Sequence, residues 1–499
     1  MSKQVRFVVG TKGLAVLCLA MGSGCMVGPN YERPVVEVPD VWQEASTAQV
    51  EEGEAPLQRW WTVFEDPQLN ELLVRAQVSN LDLIQALWRI QEARAIRGIA
   101  KGEHLPNVQG TGDLSREQPS ENAVPIDVPV EGLGDPGNFF SLGLDASWEI
   151  DVFGRIRRSV EAATADVEAS VEDYRDVLVT LLSEVALSYV ELRALAARVN
   201  YAEANVEAQR ETMQITRDRF DAGLVSQLDI TQAESNLANT EAQIPPLRAG
   251  MSGALNRLAV LLGEVPGTLN AELLVPSNIP VPPDGITVGL PAELLRQRPD
   301  VRRAERFLAA QSARIGVRTA DLYPSFSLFG FLALQSTEGG DLFDSSSFTW
   351  GFGLPIRWNI FQGGRIRAAI QVEEARTEQA LLAYEQSVLF ALEEVEVTMV
   401  AYYQERLRRD KLVEAVVASE RSVELVRTQY MTGLTNFQNV LDTQRSLFNQ
   451  QDQLAESEGV LVQNLVALYK ALGGGWDPEA LPPIPESRLS EVTEEGQSQ

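Results

Sequence analysis

Histidine and cysteine are nearly missing from this chain of 499 residues, which contains one histidine, His104, and two cysteines, Cys18 and Cys25. Zinc sites and Ser-His-Asp triads depend on these residue types, so the sequence predicts neither a catalytic site nor a metal site. Basic residues are also few, since 42 Lys and Arg stand against 70 Asp and Glu, a net charge of −28. Nucleic-acid binding needs a basic surface, and we therefore expect neither an enzyme nor a nucleic-acid-binding protein.

The N-terminus has the composition of a secretory signal. Three positive charges flank the start of an apolar run at 14–21, and the small residues 22–24 precede Cys25. This arrangement resembles a bacterial lipobox, so we expect residues 1–24 to be a signal peptide and Cys25 to carry a covalent lipid. An ordinary signal peptide with a buried Cys25 is the alternative. Beyond this segment, no stretch reaches the roughly 18 apolar residues of a transmembrane helix.

The rest of the chain is a duplicated half-protein. Trp148 matches Trp358, and 154–157 match 364–367, at the same offset of 210 residues. A repeat of this length is too long for a solenoid unit. The predicted organisation is an N-terminal lipid-anchored segment at 25–67, a first repeat at 68–267, a linker at 268–289, a second repeat at 290–475 and a flexible tail at 476–499.

Each half contains a stretch in which apolar and polar residues alternate, at 141–150 and at 349–360. Alternation with a period of two indicates a strand that has one apolar and one polar face. The segments 107–114 and 326–334 are the expected partner strands. The sequence therefore predicts four strands per chain, arranged in two hairpins.

Long helices fill most of the remaining sequence. The stretches 155–221 and 365–432 lack proline and carry apolar residues at heptad spacing, which predicts two helices of about 100 Å each. Shorter helices are expected at 68–102 and 227–262. Pro245-Pro246 should kink or interrupt the second of these, because proline cannot make the intrahelical hydrogen bond.

Amphipathic strands of this kind suit a duct that has lipid outside and water inside, with Asp145 and Glu149 lining the lumen. Four strands cannot close a barrel, and an open edge in lipid leaves backbone groups unsatisfied. We therefore expect two, three or four copies to associate into a barrel of eight, twelve or sixteen strands. The turns at Gly223 and Gly433 should lie at the end of the helices remote from the strands. A coiled-coil stalk with incidental strands is the alternative.

Three motifs carry a family resemblance. They are 27–34 directly after Cys25, the Trp-rich segment 60–69, and 290–305, which opens the second repeat. Together with the repeat, they closely resemble the outer-membrane factors of tripartite efflux pumps, specifically the OprM-like lipoprotein branch of the TolC family, NodT-type. The resemblance covers about residues 25–476.

The resemblance implies a mixed α+β membrane protein, in which a homotrimer forms a 12-stranded outer-membrane β-barrel continued by a long α-helical periplasmic barrel. It also implies a passive exit duct for drugs or other small solutes, anchored in outer-membrane lipid and extending into the periplasm. The implied partners are a periplasmic adaptor (membrane fusion) protein and an inner-membrane transporter of the resistance–nodulation–division (RND) type. A TolC-like channel for type I protein secretion remains an alternative, and a structural coiled-coil envelope lipoprotein is a more distant one.

The resemblance further implies a periplasmic aperture near the two glycine turns. Asp442 and Arg445 stand three residues apart, so one helical turn should pair them. Gly223 and Gly433 should mark the tip that docks the adaptor. The residues expected to ring the aperture or hold it shut are Asp229, Tyr430, Gln438, Asn439, Asp442 and Arg445.

Overall fold

The computed structural model of the chain describes a large, discontinuous part of the sequence. Cys25 and the expected signal peptide 1–24 lie outside the described residues, as do Leu290, 292–296 and most of the expected tail. The described residues are 26–44, 51–52, 57–118, 120, 135–283, 285, 287–289, 291, 297–480 and 483.

Helices predominate among the described residues. None of these helices combines the length and apolar character needed to cross a bilayer. The helices are α1 (Pro67–Ser79), α2 (Leu81–Gly102), α3 (Arg155–Asp221), α4 (Gln227–Glu241), α5 (Ile244–Leu261), α6 (Asn270–Leu273), α7 (Pro299–Ala320), α8 (Arg365–Met431) and α9 (Phe437–Ala471). The strands are β1 (Glu51–Glu52), β2 (Asn107–Glu117), β3 (Gly137–Ile150), β4 (Thr287–Val288), β5 (Ser325–Ser336), β6 (Phe348–Gly353) and β7 (Ile356–Arg357).

The two longest helices, α3 and α8, contain 67 residues each, which corresponds to a length of about 100 Å. Their bounds confirm the two predicted long helices to within one residue. The predicted interruption at Pro245-Pro246 is confirmed as well, since α4 ends at Glu241 and α5 begins at Ile244. Both prolines then lie in the first turn of α5, where a missing N–H leaves no hydrogen bond unmade.

One antiparallel sheet has the strand order β2-β3-β5-β6, and β7 also pairs with β5. Both predicted hairpins are present, and the pairing of β3 with β5 joins them. The predicted strand at 349–360 was too long, because β6 ends at Gly353 and only Ile356–Arg357 resume the pairing. Pro355 lies in this gap and has no N–H to donate to the ladder.

The described residues form two compact units. The sheet unit contains those within 1–34, 91–169 and 305–383. The helix unit contains those within 35–90, 170–304 and 384–499. Each unit therefore takes segments from both halves of the duplicated sequence.

The helix unit contains a large apolar core, in which Trp60, Leu182, Tyr189 and Leu465 are fully buried. Burying a side chain of this size contributes about 1.5–3 kcal/mol. A second, smaller core lies near the glycine turns and is called the tip cluster below. The tip cluster consists of Ala233, Tyr430, Phe437, Val440 and Leu441.

Candidate functional site

The predicted glycine turns are confirmed as turns. Gly223 follows α3 with a φ of +73°, and Gly433 follows α8 with a φ of +79°. Glycine adopts this left-handed conformation without a steric cost, which is why it commonly ends helices. At both turns the amide of the next residue donates to a carbonyl five residues earlier, at 2.8 Å. The two halves of the repeat therefore end their long helices in the same way.

Tyr430 lies at the centre of the tip cluster and is 3 % exposed. Its ring packs against Phe437, with 5.5 Å between the ring centroids. The guanidinium carbon of Arg219 lies 4.7 Å from the centroid of the same ring, and Nη1 of Arg219 donates to the Tyr430 carbonyl at 2.7 Å. This contact ties the end of α3 to the end of α8. Within the described residues the Tyr430 hydroxyl has no hydrogen-bond partner.

The predicted pair of Asp442 with Arg445 is wrong. Nε of Arg445 donates to Oδ1 of Asn236 at 2.8 Å, and Asp442 accepts from Nε2 of Gln438 at 2.9 Å. Among the ion pairs of the described residues, Asp442 and Arg445 do not form one. Asn236 is 4 % exposed, so its carbonyl oxygen needs a donor, whereas an exposed ion pair is worth only about 0–1 kcal/mol.

Asp229 and Asn439 occupy equivalent places in the two halves, separated by the repeat offset of 210 residues. Asp229 accepts a hydrogen bond from the Ser226 amide at 3.0 Å in the first turn of α4. Asn439 lies in the first turn of α9, where its Nδ2 donates to Oγ1 of Thr435 at 2.7 Å. Both side chains therefore occupy the first turn after a glycine turn, and only the first-half residue carries a charge.

The two acidic residues expected in the lumen differ in their partners. Asp145 is exposed on the polar face of β3 and accepts from Oγ1 of Thr111 at 3.0 Å. Glu149 lies on the same face, but Arg155 donates two hydrogen bonds to its carboxylate, at 2.9 and 3.0 Å. These bonds to Glu149 raise the pKa of Arg155 above its ordinary value. Asp145 therefore contributes negative charge to this face, whereas the charge of Glu149 is compensated.

The opposite face of the sheet is apolar and exposed. The exposed fraction of the side chain is 53 % for Leu144, 61 % for Trp350 and 77 % for Phe352. Soluble monomers rarely expose contiguous apolar area of this kind. Trp148 and Trp358, which match in the repeat, both donate their indole N–H to a backbone carbonyl, at 2.9 and 3.1 Å. An apolar ring with a satisfied polar atom is typical of the edge of a bilayer.

The residues that follow Cys25 are clamped in the sheet unit. The Val27 amide donates to the Phe153 carbonyl at 3.1 Å. The Arg158 side chain is 1 % exposed and donates to the Val27 carbonyl, the Gly28 carbonyl and Oδ1 of Asn30. The motif at 27–34 therefore binds a buried arginine, a role that the sequence alone did not reveal.

The motif that opens the second repeat forms ion pairs in the helix unit. Arg298 donates to Asp300, to Glu394 at 2.7 Å and to the Ala471 carbonyl at 2.7 Å. Burial alone would raise the pKa of Asp300. The guanidinium of Arg298 outweighs that effect and holds this pKa below its ordinary value. Arg303 pairs with two aspartates of α3, at 2.6 and 3.0 Å. The motif thus joins the second repeat to a helix of the first.

Known proteins resemble this chain in sequence and in structure. The family model described as outer membrane efflux protein matches residues 72–264 and 290–474. Nodulation protein T of Rhizobium leguminosarum bv. trifolii is 31 % identical over 458 residues, which cover 92 % of this chain and 96 % of that protein. The pyoverdine export outer membrane protein OpmQ of Pseudomonas putida is 33 % identical, covering 94 % of this chain and 98 % of that protein. The solved structure of the outer-membrane channel OprN superposes with a TM-score of 0.85 at 35 % identity, covering 91 % of this chain and all of that one.

Proposed function

The chain belongs to the outer membrane efflux protein family, and on that premise we propose how it builds the exit duct of a tripartite efflux system. It is an outer-membrane channel that extends into the periplasm and lets solutes leave the cell. OprN is described as an outer-membrane channel, and the family description names efflux, which favours solute export over protein secretion or a purely structural role. The observation that carries the proposal is the sheet, with one exposed apolar face and one polar face that bears Asp145.

Three copies form the duct in this proposal. In the described sheet, β2 pairs only with β3, and β6 pairs only with β5, so both edges of the sheet are open. Open edges in lipid leave backbone groups unsatisfied, and pairing between copies removes them. Three copies give a closed barrel of twelve strands, an even number as in other outer-membrane barrels.

The helix unit also carries apolar stripes that a neighbouring copy can cover. On α8, Leu389 and Val397 are exposed by 63 % and 60 %, and on α1, Val74 and Val78 are exposed by 58 % and 76 %. Apolar residues one to two helical turns apart are typical of helix–helix contacts. Association through these stripes would build an α-helical barrel. Native mass spectrometry of the purified protein, together with ion conductance in planar bilayers, tests the trimer and the duct.

The tip turns are the proposed docking surface for the periplasmic adaptor. Leu224 and Leu434 follow the two glycines and are exposed by 66 % and 80 %. Six such leucines in a trimer would present an apolar surface at the end of the duct, which suits a protein partner. The RND-type transporter on the inner membrane then supplies the solute, and the duct itself stays passive.

The aperture lies near the tip cluster in this proposal. Two contacts hold the helix ends there, Arg219 with Tyr430 and Arg445 with Asn236. Asp442 is exposed, and within the described part of the chain its side chain bonds only to the neutral Gln438. Three copies of Asp442 near an axis would repel one another, so closure depends on the contacts that fix α4, α8 and α9 in place.

Replacing Arg445 with alanine is expected to open the aperture. The change removes the donor from Asn236, and three copies of one hydrogen bond amount to about 1.5–4.5 kcal/mol of closure. That is comparable with the few kcal/mol that commonly separate two conformations. We expect longer open times in single-channel recordings and greater sensitivity of cells to vancomycin.

Two variants control this experiment. Asn236→Asp retains an acceptor for Arg445 and should keep the aperture closed. Arg248→Ala removes an exposed pair with Glu203 and should leave conductance unchanged. If Arg445→Ala conducts like the parent at normal expression, the contact with Asn236 does not control the aperture.

A covalent lipid on Cys25 is part of the proposal. The clamp on 27–30 holds the chain directly after the lipid-bearing position in the sheet unit. Cys25→Ser is expected to lose palmitate labelling but to leave the trimer in the outer membrane, because the exposed apolar face supplies membrane affinity of its own. Metabolic labelling with palmitate measures the loss of the lipid, and membrane fractionation measures whether the trimer stays in the outer membrane. Labelling that persists in the variant would place the lipid on another residue. A soluble variant would show that the sheet alone does not hold the protein in the membrane.

A further inference from the structure

Two phenylalanines interrupt the polar face of the sheet. Phe329 and Phe331 alternate along β5 with Leu328, Gly330 and Leu332, so they point to the side opposite the apolar face. Their cross-strand partners on β3 are Ser147 for Phe329 and Asp145 for Phe331. The proposed duct therefore has aromatic rings on its water-filled side.

Each ring lies over a glycine on the neighbouring strand. Phe329 faces Gly353 and Phe331 faces Gly351 in the register of β5 with β6. A Cβ added to Gly353 would lie 2.4 Å from Cε1 of Phe329, and one added to Gly351 would lie 2.5 Å from Cε1 of Phe331. The rings thus occupy the space that side chains on β6 would otherwise fill. Phe329 keeps 42 % of its surface exposed.

A negative charge lies next to these rings. Asp145 is the cross-strand partner of Phe331 and is exposed. Among the ion pairs of the described residues none includes Asp145, whereas Glu149 on the same face is paired with Arg155. The face thus combines a fixed aromatic surface with an uncompensated carboxylate.

We propose that Phe329, Phe331 and Asp145, here called the phenyl patch, form a transit site for aromatic cations inside the duct. Such a solute stacks its rings on the two phenyl groups and places its positive charge near the carboxylate and over the ring faces. An aromatic anion is repelled by Asp145, and a small alkyl ammonium ion gains no stacking. The patch occurs three times in the proposed trimer, and the inference rests on the proposed duct.

Ethidium binding to the full-length trimer in nanodiscs tests the proposal, with empty nanodiscs subtracted. We expect the fluorescence of ethidium to report binding, tetraphenylphosphonium to compete for it, and tetramethylammonium and tetraphenylborate not to compete. Phe329→Leu with Phe331→Leu keeps apolar volume over the glycines but removes the rings, and should weaken ethidium binding about fivefold or more. Asp145→Asn should weaken it and remove most of its salt dependence.

Two further variants make the result specific. Phe329→Tyr with Phe331→Tyr keeps both rings and should bind ethidium like the parent. Phe348→Leu, on the apolar face of β6, is a matched aromatic control and should also bind like the parent. Unchanged binding in the double leucine variant, or equal competition by tetraphenylborate, would overturn the phenyl patch. Potassium chloride conductance of the same preparations is recorded separately, so that failure of the duct is distinguished from failure of the patch.

Discussion

Arg298→Met is expected to destabilise the helix unit by about 3 kcal/mol, the lower end of the range for breaking a buried ion pair. The Arg298 side chain is 11 % exposed and is bonded to Asp300, Glu394 and the Ala471 carbonyl. Methionine keeps the apolar stem but removes the guanidinium that donates to Glu394, to the Ala471 carbonyl and to Asp300, whose carboxylate still accepts from the Val301 amide. The lower end applies because both carboxylates, at 25 % and 39 % exposure, are partly screened by water. Urea unfolding in detergent, followed by helical circular dichroism, measures the difference.

The loss of stability in Arg298→Met should depend on pH in a defined direction. The folded-state pKa of Asp300 lies below its ordinary value of 3.8, so ionised Asp300 stabilises the fold at neutral pH. That contribution is lost as the pH falls below 3.8 and through the folded pKa. The difference between parent and variant should therefore be largest at pH 7 and become smaller in acid, where the contribution of Asp300 is lost. Arg248→Met removes only an exposed pair, and an equal effect there would mean that burial of Arg298 is unimportant.

Gly28→Ala is expected to release the residues that follow Cys25. A Cβ on Gly28 would lie 2.4 Å from Cα of Gly316, and Gly28 has a φ of +86°. Backbone atoms on both sides cannot move aside as a flexible side chain can, and the left-handed conformation adds about 1–2 kcal/mol for alanine. Releasing the segment also takes three acceptors from the buried Arg158. Amide hydrogen exchange of residues 27–34 should become at least about tenfold faster.

Gly98→Ala is the matched control for that experiment. Gly98 lies within α2, and nothing is found within 4 Å of the position of its added Cβ. Alanine is the better helix former, so this change should be neutral or slightly stabilising. If Gly28→Ala leaves hydrogen exchange of 27–34 as slow as in Gly98→Ala, the clamp does not depend on the close approach to Gly316.

The sequence predicted the two long helices well because their signals are local, but it missed the break at Asn80 that divides the expected helix 68–102 into α1 and α2. The absence of proline and the heptad spacing of apolar residues mark α3 and α8 within their own sequence. Both helices were located to within one residue. Alternation likewise revealed the strands and their two faces. It could not show that Pro355 ends the pairing of β6, because alternation continues through a proline that the ladder cannot accommodate.

The candidate sites depended on contacts between segments far apart in the chain, and there spacing misled. Asp442 and Arg445 are neighbours on one helix, so their pairing looked favourable, yet Arg445 bonds to Asn236, 209 residues away. No local pattern identifies Asn236 as a buried acceptor. The same holds for Arg158, whose partners lie about 130 residues earlier in the chain. Packing between distant segments determines these partners, and they can be identified only once the fold is known.

The difference between Asp229 and Asn439 has a consequence for the evolution of the molecule. A duct built from six identical single repeats would have to place the same residue at all six positions of a ring. Fusing two repeats in one chain lets the halves diverge, so the proposed trimer would alternate three carboxylates of Asp229 with three neutral amides of Asn439. Neighbouring carboxylates are thereby spaced farther apart, and their mutual repulsion falls with that distance. Gene duplication thus allows a chain of this kind to lower the symmetry of the proposed aperture and to adjust its charge one half at a time.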